Sequence, residues 1–85
     1  MLKQVVVVQI PDEQVDTSIT SFIKKANEFS SRITVSLKGN TVNAKSLLGL
    51  LSMRPISGME LLLEAEGPDA AEALQALADI MGKRT

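Results

Sequence analysis

The sequence predicts a single open-faced α/β sandwich with its elements in the order β-α-β-β-α-β-α. Two observations carry the order: segments with strand-like alternation of apolar residues, and segments whose apolar residues recur at helical steps of three and four. A third sets the layers. Three helices cannot each bury an apolar stripe except against one face of a shared sheet, so the other face meets water. With 85 residues the chain makes one domain, 1–85, near the lower limit at which a chain buries enough apolar surface to fold alone.

Gln4 to Ile10 alternate as a strand, with Val6, Val8 and Ile10 on one face. Pro11 ends it, having no N–H to give a ladder. Asp12 to Ser18 is polar and predicts a loop. Ile19, Phe22, Ile23, Ala26 and Phe29 then mark an amphipathic helix, with Asp16, Thr17 or Ser18 as its candidate N-cap. Arg32 to Lys38 alternate strictly and give the clearest strand. Lys38-Gly39-Asn40 is turn chemistry, and Thr41-Val42-Asn43 returns as its partner. Ser46 opens a compact apolar run from Leu47 to Met53, a short helix ended by Pro55, and Ser57-Gly58 supplies a turn. Met59, Leu61, Leu63 and Ala65 alternate with Glu60, Leu62, Glu64 and Glu66 in a fourth strand. Gly67-Pro68-Asp69 starts the last helix, whose buried stripe is Ala70, Ala73, Leu74, Leu77, Ile80 and Met81. Gly82 and the basic pair Lys83-Arg84 close it.

Composition narrows the chemistry. Val5–Val8 and Leu61–Leu63 are strand-sized, far short of the roughly 20 apolar residues a membrane helix needs. The N-terminus runs straight into a strand, which predicts no leader and a soluble, cytoplasmic protein. Without cysteine there are no disulfides or thiolate metal sites, and without histidine a transition-metal site would be all carboxylate. No metal and no cofactor is expected. The net charge of −1 draws neither nucleic acid nor anionic membrane. Both aromatic residues, Phe22 and Phe29, belong to the predicted helix, so no strand offers a base-stacking platform of the RNA-binding kind.

From Thr41 to Ser52, TVNAKSLLGLLS, the sequence resembles the histidine phosphocarrier (HPr) family. Lys38-Gly39, Ala65, Gly67, Asp69, Ala73 and Leu74 keep the same register without gaps, so the resemblance spans essentially the whole chain. It implies a four-stranded antiparallel sheet in the order 1-4-2-3. The family carries phosphate on a histidine after the first strand, followed by an arginine and a proline. Those positions are Val15, Thr17 and Ser18 here, with Asp16 between them. A phosphoramidate needs an imidazole nitrogen, and the arginine pairs with phosphate oxygens. Neither valine nor threonine does this, so Val15, Asp16, Thr17 and Ser18 form a degenerate phosphocarrier site and the phosphorelay is lost.

The resemblance is nearest to a Crh-like branch that has replaced the histidine but kept a regulatory serine at the start of the second helix. That serine is Ser46. In the branch an HPr-type serine kinase phosphorylates it, and the product acts on a transcription regulator. The chain departs further, with Thr17 for the branch's usual arginine and Arg54-Pro55 where small residues are usual. The resemblance also implies that Leu47, Leu48 and Leu51 form a partner-binding surface; a helix this short cannot bury every large apolar residue on one face, and Leu50 is the one read as core.

Each site has a plainer reading. Ser46 serves as an N-cap whether or not it is modified, and Leu47, Leu48 and Leu51 can be core. Asp16 is a conceivable aspartyl-phosphate site, although that chemistry calls for a metal and supporting acids; a helix cap is its simpler role. Val5, Val7 and Leu62 point to the open sheet face. The first strand is read as an edge without charge between Lys3 and Asp12, which invites a homodimer through that strand or that face. The expected function is therefore a non-enzymatic regulatory or adaptor protein docking a protein partner, either a transcription regulator or an enzyme. The alternatives are a structural or oligomerising protomer and a phosphocarrier using a non-histidine site.

Overall fold

The computed structural model describes residues 1–84, with Lys83 and Arg84 through their backbone only. Strand β1 (Leu2–Val8) leads through a 3-10 turn at Asp12–Gln14 into helix α1 (Val15–Ala26). The hairpin of β2 (Arg32–Leu37) and β3 (Asn40–Asn43) follows, then helix α2 (Leu47–Met53), strand β4 (Glu60–Glu66), helix α3 (Ala70–Met81) and a short strand β5 (Gly82–Arg84). The sheet order is β3-β2-β4-β1-β5. It contains the expected 1-4-2-3 arrangement, antiparallel at every pairing, with β5 added outside β1.

That fifth strand corrects the reading of β1 as an edge. Val6, Val7 and Val8 pair with Arg84, Lys83 and Gly82. Lys83 and Arg84 therefore do not close a helix; they continue as sheet. Gly82 makes the reversal possible. A Cβ there would lie 2.3 Å from the Val7 carbonyl oxygen and 2.5 Å from the Gln9 amide nitrogen, at a φ of +155°.

β1 itself sits two residues earlier than its alternation suggests. Its inner-side ladder finishes where the Val8 amide donates to Met59 (2.8 Å) and the Gly58 amide donates to Val8 (2.9 Å). Ile10 stays buried beyond the strand end because Ser57 clamps it. The Ile10 amide donates to Ser57 Oγ (2.9 Å), and that hydroxyl donates to the Ile10 carbonyl (2.6 Å).

The core lies between the inner sheet face and the helices. Val6, Val8, Ile33, Val35, Leu61, Leu63 and Ala65 meet Ile19, Phe22 and Leu77, all buried. In α3 the buried stripe includes Ala78, whereas Ile80 is only half-buried at the core's rim, a second correction. A polar staple ties α3 to the start of β2. The Asp69 carboxylate accepts from the amides of Ser30 and Ser31 (2.9 Å each) and from Ser31 Oγ (2.5 Å). No helix among the described residues is long and apolar enough to cross a membrane.

Candidate docking site

α2 is seven residues long, too short to hold itself together in water. Local chemistry defines its two ends. Ser46 has extended backbone, and its Oγ accepts from the Gly49 amide at 3.2 Å. This is the N-cap the sequence offers. At the other end Arg54 adopts a left-handed conformation (φ 42°, ψ 74°), and its amide donates to the Leu50 carbonyl. Leu50 is fully buried and pins the helix to the core.

With Leu50 inward and Met53 partly buried against the core, the other three leucines of the run face outward. Leu47 is 47% exposed, Leu48 78% and Leu51 40%. These three, with Ile56, account for most of the large apolar side chains exposed on the described surface, the others being Met1 and Leu2 at the N-terminus. Exposing a leucine forgoes on the order of 2 kcal/mol of burial each. Three on one short helix leave an apolar surface beside the capping hydroxyl.

The neighbouring cations are already engaged. Lys45 donates its amide to Asn43 Oδ1 and its ammonium to the Phe29 carbonyl, both at 2.8 Å. Arg54 donates from Nη1 to Asp16 Oδ1 at 3.0 Å, an exposed ion pair joining α2 to the first turn of α1.

Val15, Asp16, Thr17 and Ser18, the positions expected from the sequence to form a degenerate phosphocarrier site, fall on that same turn. α1 starts at Val15, not after Ser18, and Gln14 stands at the cap position without a side-chain bond. Asp16, Thr17 and Ser18 are therefore inside the helix and none caps it. The cause is Val15, which is 2% exposed and adds one more turn to the stripe of Ile19, Phe22 and Ala26. A side chain so placed is inaccessible to a phosphoryl donor. Asp16 is exposed but paired with Arg54, and no group of three or more acids able to hold a metal occurs among the described residues.

On the opposite side of the sheet Val5, Val7 and Leu62 are half-buried, as strand parity requires when Val6, Leu61 and Leu63 point inward. A shallow depression there is lined by Val5, Leu62, Ser36, Lys38, Gly39 and Glu60.

Residues 3–83 match the family model described as "PTS HPr component phosphorylation site". The chain belongs to the HPr family. Among its relatives the HPr-like protein Crh of Bacillus subtilis (strain 168) is 44% identical over 57 residues, 67% of each chain. The structure of HPr-C-His from Thermoanaerobacter tengcongensis superimposes with a TM-score of 0.89 at 32% identity, covering 95% of this chain and 91% of that one. The Bacillus subtilis Crh crystal structure, described as a domain-swapped dimer, gives a TM-score of 0.71 at 33% identity, over 88% and 82% of the two chains. The family ties the chain to the sugar phosphotransferase system and to relatives concerned with catabolite repression.

Two site features escaped the sequence reading. The Asp16–Arg54 pair joins residues 38 positions apart, and no local pattern announces it. The burial of Val15 did have a signal, since 15, 19, 22 and 26 share one helical spacing.

Proposed function

We propose that this protein is a regulatory adaptor that docks a protein partner through Leu47, Leu48 and Leu51, tuned by phosphorylation of Ser46 and without phosphocarrier activity. The exposure of those three leucines beside a capping serine carries the proposal. A phosphate on Ser46 would bring about −1.5 to −2 charge to a helix start, where the free amides tolerate it. Lys45 and Arg54 already have partners, which leaves the phosphate to a basic group on the docking protein. The kinase is of the HPr serine type, the partner is a transcription regulator or an enzyme, and the setting is the cytoplasm. Self-association is a second reading, favoured by Val5, Val7 and Leu62 on the open face.

A charge-assisted contact of this kind contributes roughly 1.5–3 kcal/mol, about ten- to a hundredfold in affinity. Leu47→Ala is expected to weaken docking in both phosphorylation states, whereas Ser46→Ala removes only the tuning. Incubation with an HPr-type serine kinase, mass spectrometry and titration calorimetry against the regulator test this. Failure of Ser46 to take phosphate, or equal affinity with and without it, reduces the serine to a helix cap.

A further inference from the structure

Lys45 uses its charge differently from other lysines of the chain. Lys3 and Lys25 reach carboxylates, Glu64 at 3.9 Å and Glu28 at 3.2 Å. Lys45 is half-buried, and its ammonium donates to a backbone carbonyl, that of Phe29, at 2.8 Å. Ordering a flexible four-carbon stem for one acceptor costs side-chain entropy. The bond offsets that cost by being charge-assisted and partly out of water.

The carbonyl it grips is a fixed point. The Phe29 side chain packs against the core, and its amide donates to the Ala26 carbonyl at 3.3 Å. The next two amides, those of Ser30 and Ser31, bond the Asp69 carboxylate. The backbone around Lys45 is held as closely. Its amide donates to Asn43 Oδ1 at 2.8 Å, and the Ser46 amide donates to the Asn43 carbonyl at 3.0 Å. Ala44, between them, is fully buried, and its amide donates to the Ile33 carbonyl at 2.9 Å. The turn from Asn43 to Ser46 is thus tied to β2 by its backbone and to the loop after α1 by one side chain.

α2 starts from this turn. A helix of seven residues does not hold its own shape in water, so what precedes it decides where its first turn lies. Ser46 closes that turn by accepting from the Gly49 amide on its hydroxyl and from the Leu50 amide on its carbonyl, at 3.2 Å each. Both bonds depend on where the Ser46 backbone sits. The residue beside it carries the long-range anchor, to a carbonyl 16 positions back.

We propose that Lys45 is a positioning residue for α2: its ammonium on the Phe29 carbonyl fixes the Asn43–Ser46 turn, and with it the Ser46 hydroxyl and the leucines that follow. The use of Ser46 rests on the regulatory reading above, whereas the latch is a property of the fold.

Lys45→Met and Lys45→Arg, made in the whole chain, test the proposal. Methionine keeps an apolar stem and removes the donors, while arginine keeps a cation that can donate to the carbonyl. Amide hydrogen exchange reads the latch directly. Gly49 and Leu50 are expected to exchange roughly tenfold faster in Lys45→Met, with the β2 and β4 amides unchanged and with Lys45→Arg close to the parent. With an HPr-type serine kinase, Lys45→Met should lose about tenfold in kcat at an unchanged KM, because a misplaced hydroxyl reacts slowly once bound. Arginine should restore that rate too. Unchanged exchange at Gly49 and Leu50 overturns the proposal. So does faster exchange throughout the sheet, which would make the bond a general contribution to stability. A rise in KM alone also overturns it, since the kinase would then be reading the ammonium itself. A kinase that leaves Ser46 of the parent bare defeats the regulatory reading, and the exchange rates then decide the latch by themselves.

Discussion

Asp69 shows how far one side chain can organise a loop. Its carboxylate accepts from Ser31 Oγ and from two amides, with the Ser31 hydroxyl and then the Ser30 amide doing most to hold its pKa below the ordinary carboxylate value, against a smaller opposing effect of desolvation. Gly67 makes room for this: a Cβ there would come within 2.6 Å of Ser31 Oγ and 2.8 Å of Ser31 Cα. The sign of the pH dependence follows from the lowered value. The unfolded carboxyl titrates near 3.8. The stabilisation is therefore complete above that pH and is lost as pH falls through the lower folded value. Asp69→Asn is expected to destabilise the protein at neutral pH, with the two stability curves converging in acid. Urea midpoints measured from neutral to acid pH check this. A constant offset between the curves would show that packing, not charge, is responsible.

α2 shows how an element of seven residues is kept in place by its ends. Ser46→Ala should cost about 1 kcal/mol through the lost cap, a value typical of such sites. The other end makes a sharper prediction. A non-glycine residue in the left-handed region costs roughly 1–2 kcal/mol, while an exposed ion pair such as Arg54–Asp16 contributes about 0–1 kcal/mol. Arg54→Gly relieves the first and loses only the second, so it should melt at or above the parent. Arg54→Ala keeps the strain, loses the pair and should melt below it. The reverse order would make the ion pair the dominant effect. Periodicity made most elements legible, β2 and α3 above all, because each buries one face along its whole length. It failed where structure depends on distant partners. β5 is too short to have a period, and its strand conformation is imposed by the β1 edge. The Asp69 staple likewise joins residues 38 and 39 apart. The polar look of Asp12 to Ser18 concealed a helix start whose one signal was a single valine.

Over the whole molecule, the family's fold is kept, while the proposed function leaves its phosphoryl chemistry aside. Everything that builds the sandwich is in place: the 1-4-2-3 order, the inward faces of its strands, the helix stripes and the cap at Ser46. The positions read from the sequence as a degenerate phosphocarrier site are instead part of the structure, with Val15 in the core and Asp16 held by Arg54. The chain contains no histidine to take over. Incubated with the family's upstream donor enzyme and labelled phosphoenolpyruvate, it is expected to take up no label. Acid-labile label on the protein would contradict this and direct attention to Asp16. Val15→His is expected not to rescue the transfer. An imidazole at a position 2% exposed has no route to the donor's active site, and Thr17 lacks the guanidinium that pairs with phosphate. The substitution should also cost about 1–3 kcal/mol, because it buries a polar ring where the core supplied apolar contacts. Robust phosphorylation of Val15→His, with stability unchanged, would show that the first turn of α1 opens readily in solution and that the loss of function lies in the histidine alone.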